Sequence, residues 1–270
     1  MERPPGIAGS PARPAGLRDA SMTSDVSLER LKSLVSSRMD YYLQNTFDHE
    51  AVSFKLISDY PSRPGKGIRP ALCLAACGLV GGNISNALNT ATTIEFLHNA
   101  FLIKDDLVDG SVYRRHDVTL NRKYGFELAL NTGDALNVLG MTPLFDNMKE
   151  LGVRKSLQII REIHGMAAKS VEGQCMELSW IKSNRLDLTP DDYYSMAERK
   201  TCWYTCITPC RTGAIIGARS IGARDLESIT RFARSIGLGF QIRDDILNLV
   251  ASFENYGKES TETYERGRGL

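Results

Sequence analysis

Two Asp-Asp pairs stand inside apolar, helix-periodic stretches, and no other feature constrains the fold of this chain as strongly. The 94–109 stretch reads Ile-Glu-Phe-Leu-His-Asn-Ala-Phe-Leu-Ile-Lys-Asp-Asp-Leu-Val-Asp. Asp105 and Asp109 are four apart, so they share a helix face, with Asp106 beside them. Three carboxylates within about one turn repel one another, and more so near a helix C-terminus, where the dipole is negative. Flanking Phe101, Leu102, Ile103, Leu107 and Val108 predict partial burial, so water does not relieve the conflict and cations are expected there. The device recurs at Gln241-Ile-Arg-Asp-Asp-Ile-Leu-Asn248, which puts Asp244, Asp245 and Asn248 on a second apolar helix. One such pair alone reads as a solvated surface turn. Two on separate helices, facing each other, form an oxygen-only site suited to magnesium.

Helical periodicity runs through nearly every segment after Ser27. It predicts helices near 27–46, 68–80, 85–110, 126–149, 153–183, 191–219 and 224–252. Pro70 suits a first turn, Gly81-Gly82 ends a helix, and Thr189-Pro190-Asp191-Asp192 starts one. No period-two alternation bounded by turn residues occurs, so no sheet is expected. The chain of 270 residues is long enough for one large domain. The expected architecture is a single all-α bundle of long helices around a central cavity. Residues 1–26, rich in Pro, Ala, Gly and Arg, read as a disordered lead, 27–259 as the helical domain and 260–270 as an atypical tail.

Charge is nearly balanced, 33 Lys+Arg against 32 Asp+Glu, which gives no reason to expect nucleic acid as a partner. No apolar run approaches the roughly 20 residues of a membrane span, and no secretory signal is present. Pro4, Pro5, Pro11 and Pro14 argue against the amphipathic helix of a transit peptide. A cytoplasmic location is expected. Cys73 and Cys77 are four apart, as are Cys202, Cys206 and Cys210, so each set lies on one helix face. These spacings match no zinc or iron–sulfur signature, and the thiols are expected to pack as small hydrophobes.

The basic residues are placed locally. Gly65-Lys66-Gly67-Ile68-Arg69-Pro70 sets two cations at a glycine-rich helix start, where backbone N–H groups also hold anions. Arg114-Arg115 follows the first acidic motif, and an Arg fork fits phosphate oxygens. Lys200 and Lys258 lie further on. Each alone reads as a surface charge. With the two acidic motifs they point to one site for two diphosphates, one held through metal and one through cations directly.

These residues resemble the trans-isoprenyl diphosphate synthases, or polyprenyl synthetases, most of all those of geranylgeranyl type. The resemblance covers roughly 60–260 in order: Gly-Lys-x-x-Arg-Pro, Leu-His-x-Ala, Asp-Asp-x-x-Asp followed by Arg-Arg, Glu-Gly-Gln at 172–174, Lys200-Thr201, and Phe-Gln-x-x-Asp-Asp at 240–245. It implies a prenyltransferase condensing isopentenyl diphosphate with an allylic diphosphate (dimethylallyl, geranyl or farnesyl). Lys66, Arg69, His98 and Arg115 would bind the isopentenyl diphosphate. Asp105 and Asp109, with Asp244 opposite, would hold two or three magnesium ions on the allylic diphosphate, with Asp106 and Asp245 completing the acidic motifs. Arg114, Lys200 and Lys258 would neutralise that diphosphate, and Thr201, Gln241 and Asn248 would present polar groups beside it. His98 lies seven residues before Asp105, two turns along nearly the same face.

The resemblance further implies a homodimer, and Leu128, Leu130, Leu136, Val138, Leu139 and Leu144 are candidates to face the partner. Phe101 lies one turn, about 5.4 Å, deeper than Asp105. Ala100 beside it is small where an aromatic would favour a fifteen-carbon product, which predicts the twenty-carbon geranylgeranyl diphosphate. Departures from the pattern are Lys104 for a frequent His, His116-Asp117-Val118 after Arg115 for Gly-x-Pro, Asn121 for a frequent His, and Asn248 for the last Asp of the second motif. A terpene cyclase on the same fold would not need Lys66, Arg69, His98 and Arg115. The acidic motifs argue against a non-catalytic subunit.

The family pattern holds through Tyr256-Gly257-Lys258-Glu259 and should continue as Gly-Gly-Asp-Leu-x-Glu-Gly-Lys-Arg-Thr. Permitted codons for Thr261 to Leu270, read from the third base of each, spell Gly-Asp-Leu-Arg-Glu-Gly-Lys-Arg-Thr. The hypothesis is that a frameshift or misplaced splice near Ser260 removed helices that cover the second acidic motif. Low solubility and weak or no activity follow from that hypothesis. Sequencing the gene and transcript tests it: downstream nucleotides that encode no helical continuation in the other frame sink the idea.

Overall fold

A computed structural model describes residues 27–250. Its helices are α1 (Leu28–Thr46), α2 (Val52–Ser62), α3 (Ile68–Leu79), α4 (Leu88–Asp109), α5 (Leu120–Tyr124), α6 (Phe126–Leu139), α7 (Thr142–Leu151), α8 (Val153–Lys182), α9 (Pro190–Ala197), α10 (Thr208–Gly217) and α11 (Ala223–Val250). A 3₁₀ turn (Ile84–Ala87) leads into α4, and a π-wound stretch (Glu198–Ile207) joins α9 to α10. Strands β1 (Tyr113–Arg114) and β2 (Asp117–Val118) pair antiparallel between α4 and α5.

The bundle is wound around α4. Leu88, Ala91, Ile94, Phe96, Leu97, Ala100 and Ile103 are all buried, which is the condition of a helix covered on every side. It is surrounded by α1, α3, α6 and α7. Its buried threonines are satisfied: Thr93 Oγ1 donates to Gly140 O at 2.8 Å, and Thr90 Oγ1 accepts from Asn147 Nδ2 at 2.9 Å. Helix starts follow local chemistry. Ser27 Oγ accepts from Arg30 N, and Thr189 and Asp192 form a reciprocal capping box with Pro190 in the first turn. Gly110, at φ 63°, ends α4 directly after Asp109.

On the other side of the bundle, α3 meets α10 at backbone distance. A Cβ on Gly213 would lie 2.1 Å from Cys73 O, and one on Gly217 would lie 2.3 Å from Cys77 O. Burial pushes the Cys73 and Cys77 thiols up to about 12 and about 11, and Cys202, Cys206 and Cys210 rise for the same first reason. These five therefore stay protonated and pack as apolar groups. Cys175 is exposed.

The structure departs from the sequence expectation in four places. A two-stranded hairpin is present where no sheet is expected, because its strands are two residues each and offer no periodicity. Helix α2, which carries Pro61 near its end, and the five-residue α5 are additional. The expected 126–149 helix breaks at Gly140 into α6 and α7. Of the six candidates for a partner face, Leu136, Leu139 and Leu144 are 0%, 2% and 0% exposed and belong to the core, because they lie on the side of α6 and α7 that packs on α4. Among the described residues no helix is long and apolar enough to cross a membrane. Lys258 and the 260–270 tail lie outside the described residues, as does the side chain of Asn248.

Candidate active site

The repulsion at the end of α4 is resolved by sending one carboxylate inward. Asp106 is 1% exposed and accepts from Tyr60 Oη at 2.5 Å and from Arg114 Nε at 2.9 Å, with Arg114 Nη2 closing a fork on the same carboxylate. Burial opposes charge on Arg114, but Asp106 outweighs it and holds the guanidinium charged. Asp106 and Arg114 thus form a buried ion pair.

Asp105 and Asp109 look the other way, toward Lys200. Burial would lower the Lys200 ammonium, but Asp105, Glu177 and Asp109 outweigh it and push it up. Lys200 Nζ donates to Glu177 Oε2. Lys200 stands in the π-wound stretch, a winding that recurs at functional sites. It is seated against α8 because Gly173 has no side chain: a Cβ there would lie 2.3 Å from Lys200 N. The Glu-Gly-Gln segment therefore contributes a close approach, and Glu177, one turn after Gly173, contributes the carboxylate.

The second motif reaches the same lysine from α11. Tyr193 Oη donates to Asp245 Oδ2 at 2.6 Å and Gln241 Nε2 to Asp245 Oδ1 at 2.8 Å. Gln241 Oε1 accepts from Thr201 Oγ1 at 2.6 Å, which fixes the amide's orientation. Burial raises the Asp245 carboxyl above its ordinary range, with Asp244 adding to the rise and Lys200 opposing it. Asp105, Asp109, Asp244, Asp245 and Glu177 are all oxygen donors, the set magnesium prefers. Among the described residues no three His, Cys, Asp or Glu side chains are grouped to hold an ion by themselves.

A second, cationic cluster lies further back along α4. Arg69 Nη1 approaches His98 Nε2 at 3.2 Å and Arg115 Nη2 approaches it at 3.5 Å. Both neighbours are donors, so Nε2 accepts and Nδ1 carries the proton. Burial first, then Arg69, Arg115 and Arg114, holds His98 well below its usual pKa, so the ring is neutral. Arg69 Nε and His98 Nδ1 are each buried without a hydrogen-bond partner. Glu95 is the counter-charge, its carboxyl raised by burial. A cavity of about 30 Å³, lined in part by Lys32, Arg63, Gly65, Glu95 and Arg115, adjoins this cluster. Lys66 is exposed on the loop before α3.

Tyr204 packs against the cationic cluster. Its Oη accepts from Arg69 Nη2 at 2.9 Å, and its ring meets Phe101 edge-on with centroids 5.6 Å apart. Ala100 is fully buried, whereas Phe101 is half-buried. Glu95, Glu177, Tyr60, Tyr193 and Tyr204 were not legible as site residues. Only Glu177 carried a signal, its place one turn after the Glu-Gly-Gln segment.

The geometry separates Asp105 from Asp106. Asp106→Ala leaves the Arg114 guanidinium buried and unpaired and should cost about 3–5 kcal/mol in a urea titration. Asp105→Ala relieves repulsion and should leave the midpoint near that of the wild type. Equal losses in the two variants would overturn this division.

The family model described as Polyprenyl synthetase matches residues 51–268, past Glu259, where the motif-by-motif resemblance stops. A dimethylallyltranstransferase of Fischerella ambigua (strain UTEX 1903) is 34% identical over 200 residues, 72% of this chain and 56% of that protein. A geranylgeranyl diphosphate synthase of Cyanophora paradoxa is 33% identical over 219 residues, 79% of this chain and 69% of that protein. The solved structure of a geranylgeranyl pyrophosphate synthase from Corynebacterium glutamicum, complexed with isoprenyl diphosphate and magnesium, is similar with a TM-score of 0.77. It shares 22% identity over 89% of this chain and 74% of that one, a likeness of fold. The chain spans little more than half the length of the Fischerella relative.

Proposed function

The chain belongs to the polyprenyl synthetase family, and from that premise we propose that it is a trans-prenyltransferase that joins isopentenyl diphosphate to an allylic diphosphate and releases pyrophosphate. The observation that carries this reading is the division of charge along α4: carboxylates from α4, α8 and α11 gather around Lys200, while Arg69, His98 and Arg115 form a separate cationic pocket. Two diphosphates with different modes of binding fit those two regions.

Asp105, Asp109 and Asp244 would hold magnesium with the allylic diphosphate. Magnesium, when bound, draws off the negative charge that develops on the departing pyrophosphate. Lys200 adds its own cation to the same group. Arg69 Nε–H and His98 Nδ1–H, the open buried donors, would receive the isopentenyl diphosphate together with Arg115. The isopentenyl double bond then attacks the allylic carbon as its bond to oxygen breaks, and a proton is lost. The lone pairs left on Thr201 Oγ1 face the developing positive charge. Phe101 and Tyr204 exclude water, which would otherwise capture the cation. With small Ala100 beside Phe101, one turn below Asp105, the proposed product is geranylgeranyl diphosphate.

Incubation with labelled isopentenyl diphosphate, farnesyl diphosphate and magnesium should give a twenty-carbon product. Asp105→Ala and Asp244→Ala should each lower turnover by about a hundredfold or more with unfolding unchanged. Near-wild-type turnover in either variant sinks the two-motif site, and farnesyl diphosphate as the end product sinks the chain-length reading.

The proposal extends to a homodimer through α6. Leu128, Leu130 and Val138 are 42%, 39% and 73% exposed, with Phe126 and Phe145 exposed beside them. Light scattering should give the mass of two chains, and Val138→Glu should shift it toward one. A one-chain mass for the wild type at micromolar concentration counts against the dimer.

A further inference from the structure

We propose that Arg63, directly after α2, is a positioning residue: it clamps the turn between β1 and β2 and so holds Arg115 in the cationic pocket. The inference rests on reading that pocket as a diphosphate site.

The pairing of Tyr113 with Val118 and of Arg114 with Asp117 leaves a loop of two residues, Arg115 and His116. Both have positive φ, 54° and 63°. A two-residue hairpin turn of this hand is normally filled by Asn-Gly. The Cβ atoms of Arg115 and His116 crowd the backbone in that conformation, so the turn's own residues do not select it. A strained turn persists only where its surroundings over-determine it, and here Arg63 does so. Its Nη1 donates to Arg114 O at 2.9 Å and its Nη2 to Val118 O at 2.7 Å, one carbonyl from each strand. Its Nε donates to Asp59 Oδ1 at 2.8 Å, and its guanidinium carbon lies 4.3 Å from the centre of the Tyr60 ring. Lys123 Nζ, 2.6 Å from Asp117 Oδ2, closes the outer side. Only a planar fork bridges two carbonyls and a carboxylate together.

What the clamp delivers is Arg115. The Arg115 guanidinium has only long contacts of its own: 3.4 Å to Tyr60 O and to Asn99 Oδ1, and 3.5 Å to His98 Nε2. Burial disfavours its charge, Glu95 attracts it, and Arg114, Arg69 and Arg63 repel it. Its place over Gly65, where a Cβ would lie 3.1 Å from the guanidinium, therefore depends on the backbone that carries it, since Glu95 attracts the charge without a short hydrogen bond to fix it. Loosening the turn should release Arg115 toward water and be felt as lost anion affinity in this pocket alone.

The test uses the full chain and inorganic pyrophosphate, titrated calorimetrically in EDTA so that no metal-bridged mode contributes. Arg63→Gln should weaken binding about tenfold or more, and Arg63→Lys should not restore it. Adding His116→Gly to Arg63→Gln should recover most of the affinity, because glycine adopts positive φ unaided. In turnover assays the KM for isopentenyl diphosphate should rise while that for the allylic diphosphate stays within about twofold. If Arg63→Gln does not fold, the double variant decides: recovery of fold and binding supports the clamp, and a folded or unfolded chain that still fails to bind overturns it. A wild type that binds no pyrophosphate in EDTA sinks the pocket reading and the clamp with it. A wild type that binds while Arg63→Gln binds as tightly sinks the clamp alone.

Discussion

The buried ion pair of Asp106 and Arg114 is the interaction on which the rest of the site depends. Three carboxylates at the end of α4 conflict with one another and with the helix dipole. Turning Asp106 inward, onto Arg114 and the Tyr60 hydroxyl, leaves Asp105 and Asp109 on a single outward face. The same pair ties β1 to α4. Arg115 follows Arg114 directly, so the contact that relieves the acidic end also fixes the root of the arm that reaches the cationic pocket.

That division lets one helix serve two opposite electrostatic fields. At its C-terminal end α4 faces Lys200, which is held charged by Asp105, Glu177 and Asp109. Two turns back it presents His98, which is kept neutral by burial and by Arg69 and Arg115. A protonated His98 would add a third cation to an already repulsive group. The neutral ring instead accepts from two arginines and keeps a buried N–H without a partner. Tyr204 and Phe101 meet edge-on beside the cationic cluster, with the Tyr204 hydroxyl accepting from Arg69.

The long helices were legible because each buries a stripe or a whole circumference, and periodicity records burial. The elements that periodicity missed are short: α2, α5 and the hairpin. They matter because they carry Tyr60 and Arg63 and turn Arg114 and Arg115 back toward α4. The acidic motifs were legible as charges in apolar sequence, but spacing does not say which carboxylate turns inward. That Asp106 is the one paired with Tyr60 and Arg114 came only from the structure. Leu136, Leu139 and Leu144 looked like partner-face residues because an apolar residue on an amphipathic helix carries no label for which neighbour covers it. Glu177 and Tyr193 act through contacts 23 and 52 residues away in sequence, which no local pattern contains.

On the proposed reading, the geometry also bears on the order in which a ligand and its ions enter. The carboxylates around Lys200 come from three helices, and no three of them are grouped to hold an ion alone among the described residues. Lys200, donating to Glu177, already supplies positive charge to that space. Repulsion from the ammonium, strong at short range in a partly buried setting, therefore opposes a bare divalent ion. A diphosphate would reverse this. Asp105 and Asp109 would hold an ion together with its oxygens, and it would give the Lys200 ammonium a stronger partner than Glu177. The arrangement favours metal and diphosphate together over either alone. The cationic pocket has no such requirement, because Arg69, His98 and Arg115 are donors in place before any ligand arrives.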